Sequence, residues 1–437
     1  MASRTYKIFA TLAFTGAFAT QAAEPTRLTV APKTFSPIVV NTLPNATCVL
    51  HAEGQSDPEH TMKVFAGEDG TVRFQVRPSA ESDKTAVFAL DCTAGATTAT
   101  FPLELNASYS PTAEMPTLSE RFNSEEFRLP ASNGSVRPAL SEADALRLSP
   151  TDLASAGYPK RPDAEQSPEA FAKWLKAVTN PSTFIPARLS PHAEVTHRLS
   201  RTTANYETTS NWSGFELRGG AGSYVAVNGQ WNVPNVTYET NHHTYSAYWI
   251  GLDGDGTNDL VQAGTEQEIT DITLFFGIRF DFTSYYAWTE FLPQQGVEQV
   301  ISNFPVSPGD EIICTVSMGG NFFLPELSGP DGIFNIENVT KRIYTSIATP
   351  KGSTSVGGSE AEWIMERPTV NNALPDLADY SYTYMYEAMA LSAKTYNWVD
   401  YDAANYQQIF MYNGNDLLSG AYADGTSTIL FFWFGSH

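Results

Sequence analysis

The chain has 437 residues, 42% of them apolar and 12% aromatic, which suits two or three folded domains and is too apolar for a disordered protein. Of its net charge of −22, residues 205–437 carry nearly all, with 7 Lys+Arg against 27 Asp+Glu, a balance of −20. That region lacks the basic footprint that phosphate binding needs, and no run reaches the roughly 18 apolar residues of a membrane helix, so nucleic acid and membrane are excluded as partners.

Residues 1–23 read as a secretory leader, with Arg4 and Lys7 ahead of the apolar run Ile8 to Phe18 and small residues up to Ala23. The expected product is a secreted protein, extracellular or, in a Gram-negative bacterium, periplasmic. Residues 24–105 follow as short β-rich runs (Arg27 to Val30, Val72 to Val76, Ala86 to Leu90, Thr98 to Leu105) broken by turn signals such as Glu68-Asp69-Gly70. Cys48 and Cys92 both fall in strand-like surroundings here, and export permits a bridge between them. The reading is a small immunoglobulin-like β-sandwich without a Trp to pack on its disulfide. Cys314, in the apolar run Glu311-Ile-Ile-Cys-Thr-Val, is left as a buried thiol.

Residues 106–204 differ in kind. A Pro-, Ser- and Asn-rich linker gives way to Ser149-Pro150 and Ser167-Pro168, each with Ser at a helix N-cap and Pro at the first helical position. The second helix places Phe171, Trp174, Leu175 and Val178 on one apolar stripe, and Pro181 stops it. Residues 160–204 carry 7 Lys+Arg against 4 acids, a balance of +3 just ahead of the acidic region. Such a segment reads as a propeptide that docks through charge and its apolar stripe, leaves in acid, and is cut between Pro186 and Tyr206. The plainer reading is a spacer.

From residue 205 the pattern is β throughout, with strands expected at Tyr224 to Val227, Ile272 to Phe282, Ile312 to Met318, Ile343 to Ile347 and Thr428 to Phe434, so the region is an all-β sandwich. Two segments put polar residues on otherwise apolar strands: Leu260-Val-Gln262-Ala-Gly264 and Ala361-Glu362-Trp-Ile-Met-Glu366. Side chains alternate along a strand, so Glu362 and Glu366 share a face, and a carboxylate on a half-buried face requires a partner. Gln262 can be that partner. Around them stand Asn211-Trp-Ser-Gly214, Gly229-Gln-Trp-Asn-Val-Pro234, Trp249-Ile-Gly-Leu-Asp253-Gly254, Tyr286-Ala-Trp-Thr-Glu290-Phe-Leu-Pro293, Ser307-Pro-Gly-Asp310 and Glu337-Asn-Val-Thr340.

This ordered series from Asn211 to Glu366 resembles the glutamic peptidases, or eqolisins, acid endopeptidases with a Gln/Glu dyad. Where the family has Leu-Gln-Thr-Gly and Trp-Tyr-Glu-Trp, this chain has Val261-Gln262-Ala263-Gly264 and Trp288-Thr289-Glu290-Phe291. Neither departure touches the Gln or the Glu. The resemblance implies a lectin-like sandwich of two antiparallel sheets with the dyad on the concave face. It implies Glu366 as general base and acid, Gln262 as oxyanion donor and Trp249 as part of the substrate cleft. Asp253, Glu290 and Glu362 are candidate supports of the dyad, with structural acceptors as the alternative. The expected partners are polypeptide substrates and the chain's own propeptide, with a monomer as the working state and no cofactor or metal.

Competing chemistries are poorly served. There is no Asp-Thr-Gly or Asp-Ser-Gly, no His-Glu-x-x-His, and Gly357-Gly-Ser359-Glu-Ala361 lacks the final Gly of a nucleophile elbow. Asp253-Gly-Asp255-Gly-Thr-Asn258-Asp259 departs from a calcium loop at Thr257 and Asn258. A carbohydrate-binding or glycoside-cleaving sandwich remains the alternative function. Gln262 argues against it, because glycosidases place two carboxylates across the bond.

Overall fold

The computed structural model describes residues 25–30, 32–33, 35–55, 60–82, 84–108, 136–197, 206–237, 243–274, 277–318, 332–350, 352, 356–403 and 405–436. The leader at 1–23 and the 198–205 part of the expected cleavage window lie outside them. Two compact units are formed, one of Met1–Met115 with Thr270–Ser284, the other of Pro116–Ile269 with Tyr285–His437.

In the first unit a five-stranded sheet runs in the order Thr26–Val30, Thr97–Ala107, Thr85–Ala94, Thr47–Ala52, Thr61–Phe65. Only its first pair is parallel. Ser36–Asn41 pairs with Thr71–Pro78 as a second layer. That layer gains a third strand from far downstream, with Phe280 opposite Pro78 and Thr283 opposite Gln75. Alternate residues of both layers are apolar and buried, so Leu50, Phe88 and Leu90 meet Ile38, Phe74, Phe280 and Phe282 in one core. Phe88 sits edge-on to Phe280 and Phe282, at 5.3 and 5.0 Å. Cys48 and Cys92 face each other on adjacent strands of the same sheet and are bonded. Cys314, in the second unit, is buried and free.

The second unit begins with three short helices. Glu142–Arg147 starts at Ser141, Pro150–Ser155 at Ser149 and Pro168–Val178 at Ser167. Ser149 and Asp152 form a reciprocal capping box, which is why the Ser-Pro signal there was legible. The apolar stripe of the third helix turns toward the other helices: Trp174 and Val178 are buried with Ala145, Leu153 and Tyr158. The expected docking surface therefore forms the helices' own small core. Contact with the sheets is made by Ala177 against Ile313 and Val339, and by charge. Arg137 reaches Glu337 at 2.6 Å with both buried, Lys176 reaches Glu311 at 2.5 Å, and Lys160 pairs with Glu387.

Two sheets make the body of this unit. One runs Tyr406–Asn413, Trp212–Arg218, Glu360–Glu366, Thr244–Leu252, Leu260–Thr273, antiparallel throughout. The other runs Trp398–Asp400, Tyr382–Ser392, Tyr224–Asn232, Glu311–Met318, Gly332–Asn338, Ile343–Thr349, also antiparallel. Trp231, Tyr248, Ile250, Val316, Phe334 and Trp363 fill the space between them.

The segment after the helices adds a strand to each layer in turn. Ser182–Phe184 pairs parallel with Ile343 and Tyr344, while Leu189–Pro191 pairs antiparallel with Gln299–Ile301, next to Arg279–Leu292. Val195–Thr196 then pairs with Thr369–Val370, just past the end of Glu360–Glu366.

Candidate active site

Glu366 closes the central strand Glu360–Glu366 and lies opposite Ala247 of the neighbouring strand. Two positions along that neighbour, Trp249 donates its indole N–H to Glu366 Oε2 at 2.8 Å. The indole is placed by Gly264, directly opposite Trp249. A Cβ on Gly264 would lie 2.4 Å from Tyr248 O and 2.5 Å from Trp249 Cβ, so only glycine lets the two strands and the ring sit this close. Two residues before that glycine, Gln262 donates its amide N–H to Glu290 Oε2 at 3.0 Å. Gln262, Glu290 and Glu366 are all fully buried. Gln262 Oε1, Glu290 Oε1 and Glu366 Oε1 have no hydrogen-bond partner among the described residues.

One imidazole bridges Glu366 to a further carboxyl, and it comes from the segment that precedes the sandwich. His197, 0% exposed, places Nδ1 2.9 Å from Glu366 Oε2 and Nε2 3.1 Å from Glu298 Oε2. Its backbone N–H donates to Glu290 Oε2 at 3.3 Å, and its ring lies flat on Trp288 at 3.8 Å and 9°. Glu266 Oε2 stands 3.8 Å from Nε2. His192, five residues earlier, sits 2.9 Å from the other oxygen of Glu298 and 3.1 Å from the Tyr286 hydroxyl, which donates to Glu266.

So many carboxyls in one dry cleft cannot all be ionised. Burial, then the charge of Glu366, pushes Glu290 well above the usual carboxylate range. Burial, then Glu266, does the same to Glu298. Glu266 is raised to about 8 by burial and by the charges of Glu268 and Glu366, against the hydrogen bonds it makes with Glu298 and Tyr286.

The other candidates lie elsewhere. Glu362 is fully buried beside Glu216, and burial together with Glu216 and Glu360 drives its carboxyl far up. Neither of its oxygens has a hydrogen-bond partner among the described residues. Asp253, at a left-handed φ of 65°, accepts from Gly358 N at 2.7 Å and Ser359 N at 2.6 Å, which pins the loop leading into Glu360–Glu366. Among the described residues its side-chain hydrogen bonds reach neither Gln262 nor Glu366. Of the three proposed supports, the structure brings Glu290 alone into contact with the dyad.

His192, His197, Glu266, Trp288 and Glu298 were not singled out in the sequence. Period-two alternation does carry a signal for some of them. Gln262, Glu266 and Glu268 share one face of their strand, as Tyr286, Trp288 and Glu290 share one of theirs, so the acids follow from Gln262 once the strand is granted. The histidines have no such local signal.

A buried Gln paired with one Glu, and a second Glu bound by an indole, lie in one carboxyl-rich cluster of a two-sheet sandwich. The sequence model of the Peptidase A4 family matches residues 210–431, and the chain belongs to that family, the eqolisins. It is thus a glutamic endopeptidase of acid-peptidase type, which decides between the peptidase and carbohydrate readings. Among solved structures, scytalido-glutamic peptidase with a peptide-based transition-state analogue is similar at 22% identity and a TM-score of 0.40, over 52% of this chain and 98% of that one. SCP-B, an eqolisin in complex with the tripeptide Ala-Ile-His, is similar at 20% identity and a TM-score of 0.38, over the same shares of 52% and 98%. No curated protein matched the chain.

Proposed function

We propose that the chain is the latent precursor of a secreted acid endopeptidase in which Glu366 activates water and Gln262 stabilises the tetrahedral oxyanion. Glu366 takes the proton of the attacking water and returns it to the leaving amine. The Gln262 amide offers an N–H where charge develops on the scissile carbonyl oxygen. Burial, then the Glu366 charge, holds the Glu290 carboxyl well above the usual range. Its Oε2 holds the Gln262 amide in orientation. Glu362 lacks any such partner, which favours Glu366 as the base.

The observation that carries this reading is the His197 imidazole on Glu366 beside the Gln262–Glu290 pair. On this reading a strand of the chain itself lies over the dyad, where a substrate would bind. Residues 136–197 are accordingly read as an inhibitory propeptide. Its ion pairs run to Glu337, Glu311 and Glu387, and burial raises the Glu337 carboxyl above the usual range.

The test compares Glu366→Gln with Glu362→Gln in acid, each checked for folding by circular dichroism. Losing the general base should lower turnover by about 10²–10⁴-fold, with the Glu362 variant far less affected. Near-normal turnover in a folded Glu366→Gln protein would overturn the assignment.

A further inference from the structure

The groups that hold His197 form a slot of definite chemistry. Trp288 is a flat floor with the imidazole parallel to it at 3.8 Å. Glu298 and Glu266 stand at the far end, 3.1 and 3.8 Å from Nε2, and Glu366 flanks the near side. All four belong to the strands of the sandwich or the turn between them, so the slot stays with the enzyme when the segment departs. Among the described residues these carboxyls touch imidazoles, the Tyr286 hydroxyl, the Trp249 N–H and one another, and no Lys or Arg. Glu298 binds an imidazole on each oxygen, His192 on one and His197 on the other.

We infer that this slot is a substrate subsite selective for a planar cationic side chain, histidine or arginine, at a residue flanking the scissile bond, with Glu298 and Glu266 as its specificity-determining pair. The inference rests on the peptidase reading and deepens it by naming the substrate class. An aliphatic side chain would cover the two buried carboxyls without giving them a donor, and an acidic one would crowd a third carboxyl against them. A lysine brings charge but no plane to lie on Trp288. A guanidinium or imidazole does both, stacking on the indole while its edge N–H groups point at the carboxyls. A site whose buried polar groups go unpaired in the wrong complex discriminates far more strongly than one that loses only apolar contact.

The test uses full-length protein after acid incubation and a peptide series in one sequence context, with His, Arg, Lys, Leu or Glu at each position flanking the cut. The expected result is kcat/KM at least about tenfold higher for His and Arg than for Leu or Glu at one flanking position. A Glu266→Gln/Glu298→Gln double variant should lose most of that ratio, chiefly through KM for the His and Arg peptides. Equal cleavage across the series, or a ratio that survives in a folded double variant, overturns the inference and leaves the peptidase reading standing. A second arm needs no catalysis: full-length His192→Ala/His197→Ala protein is titrated with acetyl-Val-Thr-His-amide and its Leu counterpart, followed by tryptophan emission. Tighter binding of the His peptide supports the subsite even if no peptide is cut, an outcome that would refute the peptidase reading alone. Equal binding counts against the subsite.

Discussion

Replacing His197 by Ala should open the cleft of the uncut precursor. The imidazole makes two contacts to buried carboxyl groups, at 2.9 Å to Glu366 and 3.1 Å to Glu298. Each hydrogen bond is worth about 0.5–1.5 kcal/mol net, so the docked state loses about 1–3 kcal/mol relative to the open one. That is about a 5–150-fold shift in the docked-to-open ratio. The Arg137–Glu337 ion pair and the strand pairing of Ser182–Phe184 remain, so the segment should stay attached while its tip lets go. The assay is the initial rate on a quenched peptide, read within the period in which gels show the precursor still full length. Wild-type precursor should be nearly silent and His197→Ala at least about fivefold faster, with His197→Gln, which keeps a donor, in between. A folded, uncut His197→Ala precursor as silent as wild type would falsify the lock.

Glu266 is raised from 4.5 to about 8, and Glu290 and Glu298 also lie well above the usual range, because burial and neighbouring carboxyls disfavour their charged forms. A folded pKa above the unfolded one gives stability that is whole below about pH 4.5 and is lost as pH rises through the folded value. Glu266 alone accounts for on the order of 5 kcal/mol between about pH 4 and pH 9. The Tm of the full-length protein should therefore fall across that range, and less steeply in Glu266→Gln; a Tm that climbs with pH contradicts the argument. Gln262→Ala should lower kcat by about 10²–10³-fold with KM little changed, because an oxyanion contact acts mainly in the transition state. A raised KM at normal kcat would instead make Gln262 a binding residue. Gly264→Ala puts a methyl 2.4 Å from Tyr248 O, so it should lower Tm and cost activity by displacing Trp249 from Glu366, and an active variant of unchanged Tm would show that the strands can yield there.

The polar positions on the apolar strands were legible because alternation and local motif are short-range properties. Gln262, Glu366, Trp249 and the two Ser-Pro helix starts each announce themselves within a few residues. The Cys48–Cys92 bridge was legible for a similar reason, since both cysteines fall in strand-like runs, and they prove to be cross-strand neighbours. Glu362 and Glu366 could not be separated by periodicity, since both share a face; only the indole and imidazole on Glu366 distinguish them. Asp253 sits in a family-like motif, yet its carboxylate is spent on backbone N–H groups across a loop, a pairing that sequence distance conceals. His197 was illegible for the same reason: nothing within ten residues of it foretells a partner at position 366. The helix stripe was read correctly as an apolar face but assigned to the wrong surface, because periodicity says that a face is covered and not by what.

The strand exchange at Phe280–Thr283 bears on what a maturing cut can achieve. Thr71–Pro78 is hydrogen-bonded to those residues, and Phe74 and Phe88 share a core with Phe280 and Phe282. Severing the backbone between His197 and Tyr206 breaks one covalent link and none of these contacts. The product is then a two-chain molecule, its N-terminal fragment retained like a permanently bound subunit. The tip of the inhibitory segment, still tethered, would rebind at high effective concentration after a single nick. On the propeptide reading, complete release would require a second cut on the N-terminal side of Arg137, and activation would be a graded process with a reversible first stage.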